Sequence, residues 1–147
     1  NMAVPDKSCL NFSGYRFDSI HFDVTPGLNT SEQFSLLPTF TKAVSADGGN
    51  IEVQLSMKIE STPESVAPFS LHLVMTGSFV LEMDQENEEM RKTLINNNTV
   101  AIMYPFLRSA VSTLTATANF PPLLLPVINL AAFLNDDSKD EGCKAKE

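Results

Sequence analysis

The run Ile51-Glu52-Val53-Gln54-Leu55-Ser56-Met57-Lys58-Ile59-Glu60 alternates without a break between apolar and polar side chains. Successive side chains of a strand point to opposite faces, so this spacing predicts a strand with one dry face and one wet face. Ser61–Pro68 is polar and carries Pro63 and Pro68, and it reads as a loop. Phe69–Leu81 then resumes the period of two, with Phe69, Leu71, Leu73, Met75, Phe79 and Leu81 in phase. Gly77 shares that phase and predicts either a bulge or a close approach by another element. Two such runs across one loop predict an antiparallel hairpin.

Working outward, Asp47-Gly48-Gly49-Asn50 is a strong turn signal and joins this hairpin to Phe34–Ser45. Pro38 interrupts that earlier run, which makes it an edge strand or one broken at the proline. Tyr15–Val24 is a fourth strand candidate, ended by Pro26-Gly27. Four strands with short links predict an antiparallel meander.

After Leu81 the pattern changes. In Glu82–Lys92 acids lead and bases follow, which suits a short helix and its dipole. Asn96-Asn97-Asn98 reads as a break with a cap. From Thr99, Val100, Met103, Leu107, Ala110, Val111, Leu114 and Ala118 recur at steps of three and four, one stripe of a long helix. Pro105 falls inside it and predicts a kink or a late start. Strands followed by helices give an α+β order.

The chain has 147 residues, enough for one domain with a real core. Its hydrophobic fraction is 43% and its charged fraction 19%, a balance that argues against wholesale disorder. The net charge of −8 disfavours binding to nucleic acid or to anionic lipid. Cys9 and Cys143 sit near opposite ends. Spacing does not decide whether they pair, and the polar setting of Cys143 suits a free thiol. Two cysteines and no signal peptide predict a cytoplasmic setting. Asn1 ahead of Met2 is set aside as foreign to the fold, and Asp136–Glu147, with charges of both signs, predicts a disordered tail on a single 1–147 domain.

No charged residue stands between Ser109 and Asn135. Within that stretch, Phe120-Pro121-Pro122-Leu123-Leu124-Leu125-Pro126-Val127-Ile128 is apolar and held extended by its prolines. A membrane helix needs about 20 apolar residues, and these prolines would leave its backbone unpaired in lipid, so membrane insertion is not expected. Two readings remain. The segment is a crossing loop packed on helix and sheet, or it borders an apolar groove that receives another chain.

At Ala101–Leu134 the chain resembles the SecB protein-export chaperones. The matching residues are Met103-Tyr104-Pro105-Phe106, Arg108, Phe120-Pro121, Leu123, Leu125, Pro126-Val127, Asn129, Ala132 and Leu134. Ile20-His21-Phe22-Asp23 with Pro26, and Gly77-Ser78-Phe79, resemble the family's first and last strands. The resemblance implies a four-stranded antiparallel sheet with a long helix and a shorter C-terminal helix on one face. It also implies a dimer of dimers with an eight-stranded sheet across each dimer, and ATP-independent binding of unfolded or precursor polypeptides in apolar grooves. Carried over, the groove residues are Phe40, Leu123, Leu125, Val127, Leu130 and Leu134. The family hands clients to the SecA motor ATPase through acidic residues on the sheet face. Asp23 keeps one of those positions, while Ser19 and His72 replace two others. Asp136-Asp137 and Ser138 stand where the family has further apolar turns. These departures also suit a SecB-like protein that protects one partner, such as an antitoxin.

A holdase needs adaptable apolar contacts, and six Met with ten Phe supply them. It needs no cofactor or metal, and no nucleotide-binding loop or metal-ligand spacing is present. His21 and His72 are the only histidines, both fall on strands, and no catalytic signature accompanies them, so an enzyme is not expected. A subunit for one folded partner would have the same groove and differ in its client range. A carrier of small apolar ligands would enclose a cavity within one protomer.

Overall fold

The structure, a computed structural model, describes residues 9–28, 34–82 and 87–137. Four strands form one antiparallel sheet: β1 (Leu10–Val24), β2 (Thr39–Asp47), β3 (Asn50–Ile59) and β4 (Phe69–Leu81). Helices follow: α1 (Glu88–Thr93), a π-helical turn (Leu94–Asn98), α2 (Thr99–Thr117) and α3 (Leu130–Asp137).

The alternation in β3 and β4 decides the layering. Ile51, Val53, Leu55, Met57 and Ile59 are buried, as are Phe69, Leu71, Leu73, Met75, Phe79 and Leu81. Opposite pairs such as Leu55↔Met75 and Met57↔Leu73 put both sets on one face. The predicted α2 stripe meets that face with Val100, Met103, Leu107 and Val111 fully buried. Each such side chain contributes about 1.5–3 kcal/mol by leaving water. Gly77 marks the close approach: a Cβ there would lie 2.8 Å from Met103 Sδ. The bulges lie in the neighbouring strand, at Phe12/Gly14 and Phe17/Ser19 of β1.

The sheet order is β1-β4-β3-β2. Only β2, β3 and β4 form a meander; β1 pairs with β4 rather than with β2. This corrects the four-strand meander expected from the sequence. The link between β1 and β2 runs from Thr25 to Pro38, too long for a hairpin turn, and it carries the chain from the β4 side to the far edge. Thr25 N–H donates to Pro68 O at 2.9 Å and Glu82 N–H to Cys9 O at 2.8 Å, locking β1 to β4 at both ends. β1 also starts at Leu10, five residues before the predicted Tyr15. β2 starts directly after Pro38 and is the other edge, as the proline requires.

The three asparagines do not break the helix. They lie in the π turn, and the backbone stays helical from α1 into α2. Asn96 Nδ2 donates to Lys92 O at 3.0 Å, Lys42 Nζ on β2 donates to Asn96 O at 3.0 Å, and Thr99 Oγ1 donates to Ile95 O at 2.6 Å. These bonds offset what asparagine costs inside a helix. Pro105 therefore lies well within α2, and the helix does not start late. α1 shows the predicted charge order and is capped by Asn87, whose Oδ1 accepts from Met90 N–H at 3.2 Å. α3 includes Asp136 and Asp137, the first two residues of the predicted tail, and the rest of that tail lies outside the described residues. Cys143 and Ser138, and residues 83–86 of the predicted acidic helix, lie outside the described residues.

Candidate functional site

α2 ends in a complete C-cap. Asn119 takes φ 71°, Phe120 N–H donates to Thr115 O at 3.0 Å, and Asn119 N–H donates to Ala116 O at 2.9 Å. That paired geometry reverses the chain and satisfies the last carbonyls. The segment from Phe120 to Asn129 then runs back along α2, from its C-terminal end to its N-terminal end. Three side chains of α2 hold it there. Thr115 Oγ1 accepts from Leu123 N–H at 2.9 Å, Arg108 Nε donates to Leu125 O at 2.9 Å, and Tyr104 OH donates to Pro126 O at 2.8 Å. Burial pushes the Tyr104 phenol above its usual pKa, with Arg108 opposing, so the hydroxyl keeps the proton it donates.

Tethered in this way, the segment buries Leu125 and leaves its other apolar residues half-buried or exposed. Leu125 is 3% exposed and packs in the core, whereas Leu124 is 72% and Val127 84% exposed. Ile128 is also exposed. The six residues assigned to the groove by resemblance therefore divide. Leu125, Leu130 and Leu134 are buried and fasten the segment and α3 to the sheet. Phe40 is half-buried on β2, its ring 6.2 Å from that of Tyr104. Leu123 is half-buried at the rim of a cavity, and Val127 stands in solvent.

That cavity measures about 680 Å³, at the C-terminal end of α2. Its walls include Phe34, Leu36, Phe69, Phe120, Pro122 and Leu123. Phe69 and Phe120 lie 5.2 Å apart, and Phe22 backs both rings, 5.0 Å from Phe69 and 6.3 Å from Phe120. The opening is apolar and aromatic, suited to bulky uncharged side chains.

Among the described residues, the other face of the sheet carries no helix layer. Asp23 is exposed there, beside His21, Lys58, Ser70 and His72 around a hollow of about 220 Å³. His21 faces His72 across β1 and β4, and His72 faces Lys58 across β4 and β3. At the β1 bulge Asp18 accepts from the Thr76 hydroxyl, and from Arg16 Nε at 2.6 Å. The Thr76 bond, then the Arg16 bond, hold its carboxyl below the usual range. Among the described residues no three metal-ligating side chains converge, and no helix is long and apolar enough to cross a membrane.

Sequence reasoning missed Leu124, Ile128 and the aromatic walls Phe34, Phe69 and Phe120. It also gave no role to Tyr104 and Arg108. Their spacing of four on a nearly uncharged helix was the available signal, because it puts both on one side of α2.

A family model described as "Preprotein translocase subunit SecB" matches residues 32–141. A SecB protein-export protein of Anaplasma marginale is 32% identical over 117 residues, covering 76% of this chain and 65% of the relative. One from Anaplasma phagocytophilum is 38% identical over 82 residues, 55% of this chain and 52% of the relative. The chain thus spans between half and two thirds of the length of these two curated relatives. The solved SecB-like chaperone of Mycobacterium tuberculosis, in complex with a peptide from an antitoxin, superposes with a TM-score of 0.67 at 18% identity. That match covers 81% of this chain and 90% of the other, and it shows the shared fold.

Proposed function

The chain belongs to the SecB family, and from that premise we propose that it is an ATP-independent holdase for unfolded or precursor polypeptides, serving protein export. The observation that carries this reading is the outward row Leu124, Val127 and Ile128. These residues stay exposed on a well-tethered segment that leads to the aromatic cavity at Leu123. Exposed apolar surface of this kind marks a binding face. A client side chain enters the cavity, and the client continues along the outward row. Such binding competes with folding by mass action and makes or breaks no covalent bond.

Self-association to a dimer of dimers is part of the proposal. The outward side of α2 exposes Ala101, Pro105, Ser109, Thr113 and Ala116, and the one charge in α2, Arg108, is engaged by Leu125 O. A solvated helix face normally carries charges, and this one suits close packing against another helix. On the helix-bearing face of β1, Tyr15, Ile20 and Val24 remain substantially exposed beside an open strand edge, which suits pairing with a second sheet.

Hand-over to the SecA motor ATPase would use the open sheet face at Asp23. The hollow there holds one further carboxylate, Glu60, and that one lies 4.0 Å from Lys58 Nζ, so Asp23 stands as its single acid without a cation beside it. That observation favours a second reading, protection of one particular partner such as an antitoxin. The separating experiment is aggregation suppression across several unrelated denatured proteins, with the oligomeric mass measured alongside. A tetramer active on most of them supports the general holdase. Activity confined to one partner supports the second reading, and no activity on any client overturns both.

A further inference from the structure

His21 and His72 are the two histidines of the chain, and the sheet sets them directly opposite each other on β1 and β4, on the face away from the helices. We infer that this pair chelates a divalent transition-metal ion of the imidazole-preferring class, Zn²⁺, Ni²⁺ or Cu²⁺, and that the bound ion clamps β1 to β4.

No sequence spacing brings the two together; strand register does. Pairing runs unbroken from Ser19↔Val74 to Val24↔Phe69, beyond the last β1 bulge, and Thr25 N–H continues it to Pro68 O at 2.9 Å. The two Cβ atoms are thereby fixed, and directly opposed residues hold them about 4.5–5.5 Å apart. Two nitrogens bound to one tetrahedral ion at about 2.0–2.1 Å stand about 3.3 Å from each other. Rings leaning together across the strands close that gap. His21 is exposed and His72 half-buried, and neither ring has a hydrogen bond or ion pair among the described residues. Both are accessible to an ion in the hollow of about 220 Å³ that they line.

The charges around the pair tolerate a cation. Lys58 faces His72 from β3, but its Nζ lies 4.0 Å from Glu60 Oε1, which offsets its charge. Asp23, two residues beyond His21 in the same hollow, adds a negative charge with no cation beside it. No third ligating side chain converges with the pair among the described residues. Asp23 therefore acts through water, and water completes the coordination. Imidazole ligands select Zn²⁺, Ni²⁺ and Cu²⁺ over the hard, oxygen-preferring Mg²⁺. β1 and β4 are far apart in the chain, with β2 and β3 between them. An ion that binds them only when paired stabilises the folded state by mass action.

The test titrates the full chain, first freed of metal with a chelator, with Zn²⁺ and Ni²⁺, and with Mg²⁺ as the control. Calorimetry should find one transition-metal ion per chain. At a hundredfold excess over Kd the melting temperature should rise by about 5–10 °C. His21→Ala and His72→Ala should each weaken binding at least about tenfold and remove the thermal shift, each judged against its own metal-free melt. Asp23→Asn should weaken binding about threefold at low salt and not at all at about 1 M salt, where exposed charges are screened. Cys9→Ser with Cys143→Ser should bind as wild type, which separates the pair from thiol ligation. A wild type with no transition-metal shift, an equal shift with Mg²⁺, binding lost in the cysteine variant, or full binding retained in either histidine variant overturns the inference. The holdase reading is judged separately, by aggregation suppression with metal-free protein.

Discussion

β3 and the 123–128 segment are both rich in apolar residues, but only β3 sends successive side chains strictly to opposite faces. In β3 the inward set is Ile51, Val53, Leu55, Met57 and Ile59, and the outward set, Asn50, Glu52, Gln54, Ser56 and Lys58, is polar or charged throughout. In the later segment Leu125 goes inward, while Leu124 and Val127 go outward and are just as apolar. The first region is finished within one protomer. The second leaves apolar area exposed among the described residues. Burial thus completes the first region, whereas the second keeps exposed the apolar residues on which the holdase proposal rests.

Four variants can break or sharpen that contrast. Leu55→Ala should cost about 2–5 kcal/mol of stability by opening a cavity in the sheet core, read as a shift of the urea midpoint. A small cost would show that the β3 face is not sealed. Asn119→Val should cost about 1–2 kcal/mol, because a β-branched residue resists the left-handed conformation that turns the chain back along α2. Wild-type stability there would break the account of how the segment is launched. Tyr104→Phe should cost about 1 kcal/mol by removing the donor to Pro126 O. It should also speed hydrogen exchange at the Val127 amide more than at Leu55.

The smallest effect concerns Asp18. Its folded pKa is depressed, so its contribution is present above the ordinary carboxylate value, about 3.9, and is lost as pH falls through the lower folded value. The melting temperatures of wild type and Asp18→Asn should therefore differ by a small, constant amount between about pH 5 and 7. The difference should close below about pH 4. A gap that persists into strong acid would mean that the β1 bulge does not depend on this carboxylate.

The sequence made one of these regions easier to read than the other. In β3 and β4 polar residues mark the phase, so both strands and their dry face follow directly. The α2 stripe is equally plain, since Val100, Met103, Leu107 and Val111 are the residues that the structure buries. In Leu123-Leu124-Leu125-Pro126-Val127 both faces are apolar. No polar residue marks which side chains turn inward there, and the bonds from Thr115, Arg108 and Tyr104 hold the segment with Leu125 in and Leu124 and Val127 out. The place of β1 beside β4 was hidden for a different reason: pairing between strands far apart in sequence leaves no local mark. The helical path through Asn96, Asn97 and Asn98 was hidden because local propensity opposes it, and Lys42, distant in sequence, supports it.

The most direct measurement compares wild type with the Leu124→Ser/Val127→Ser variant in suppressing aggregation of a denatured client, with melting temperature and oligomeric mass recorded for both. The account predicts that suppression falls severalfold while the fold stays within about 0.5 kcal/mol of wild type, as expected for exposed sites. Undiminished suppression by a variant of unchanged mass and stability would contradict it.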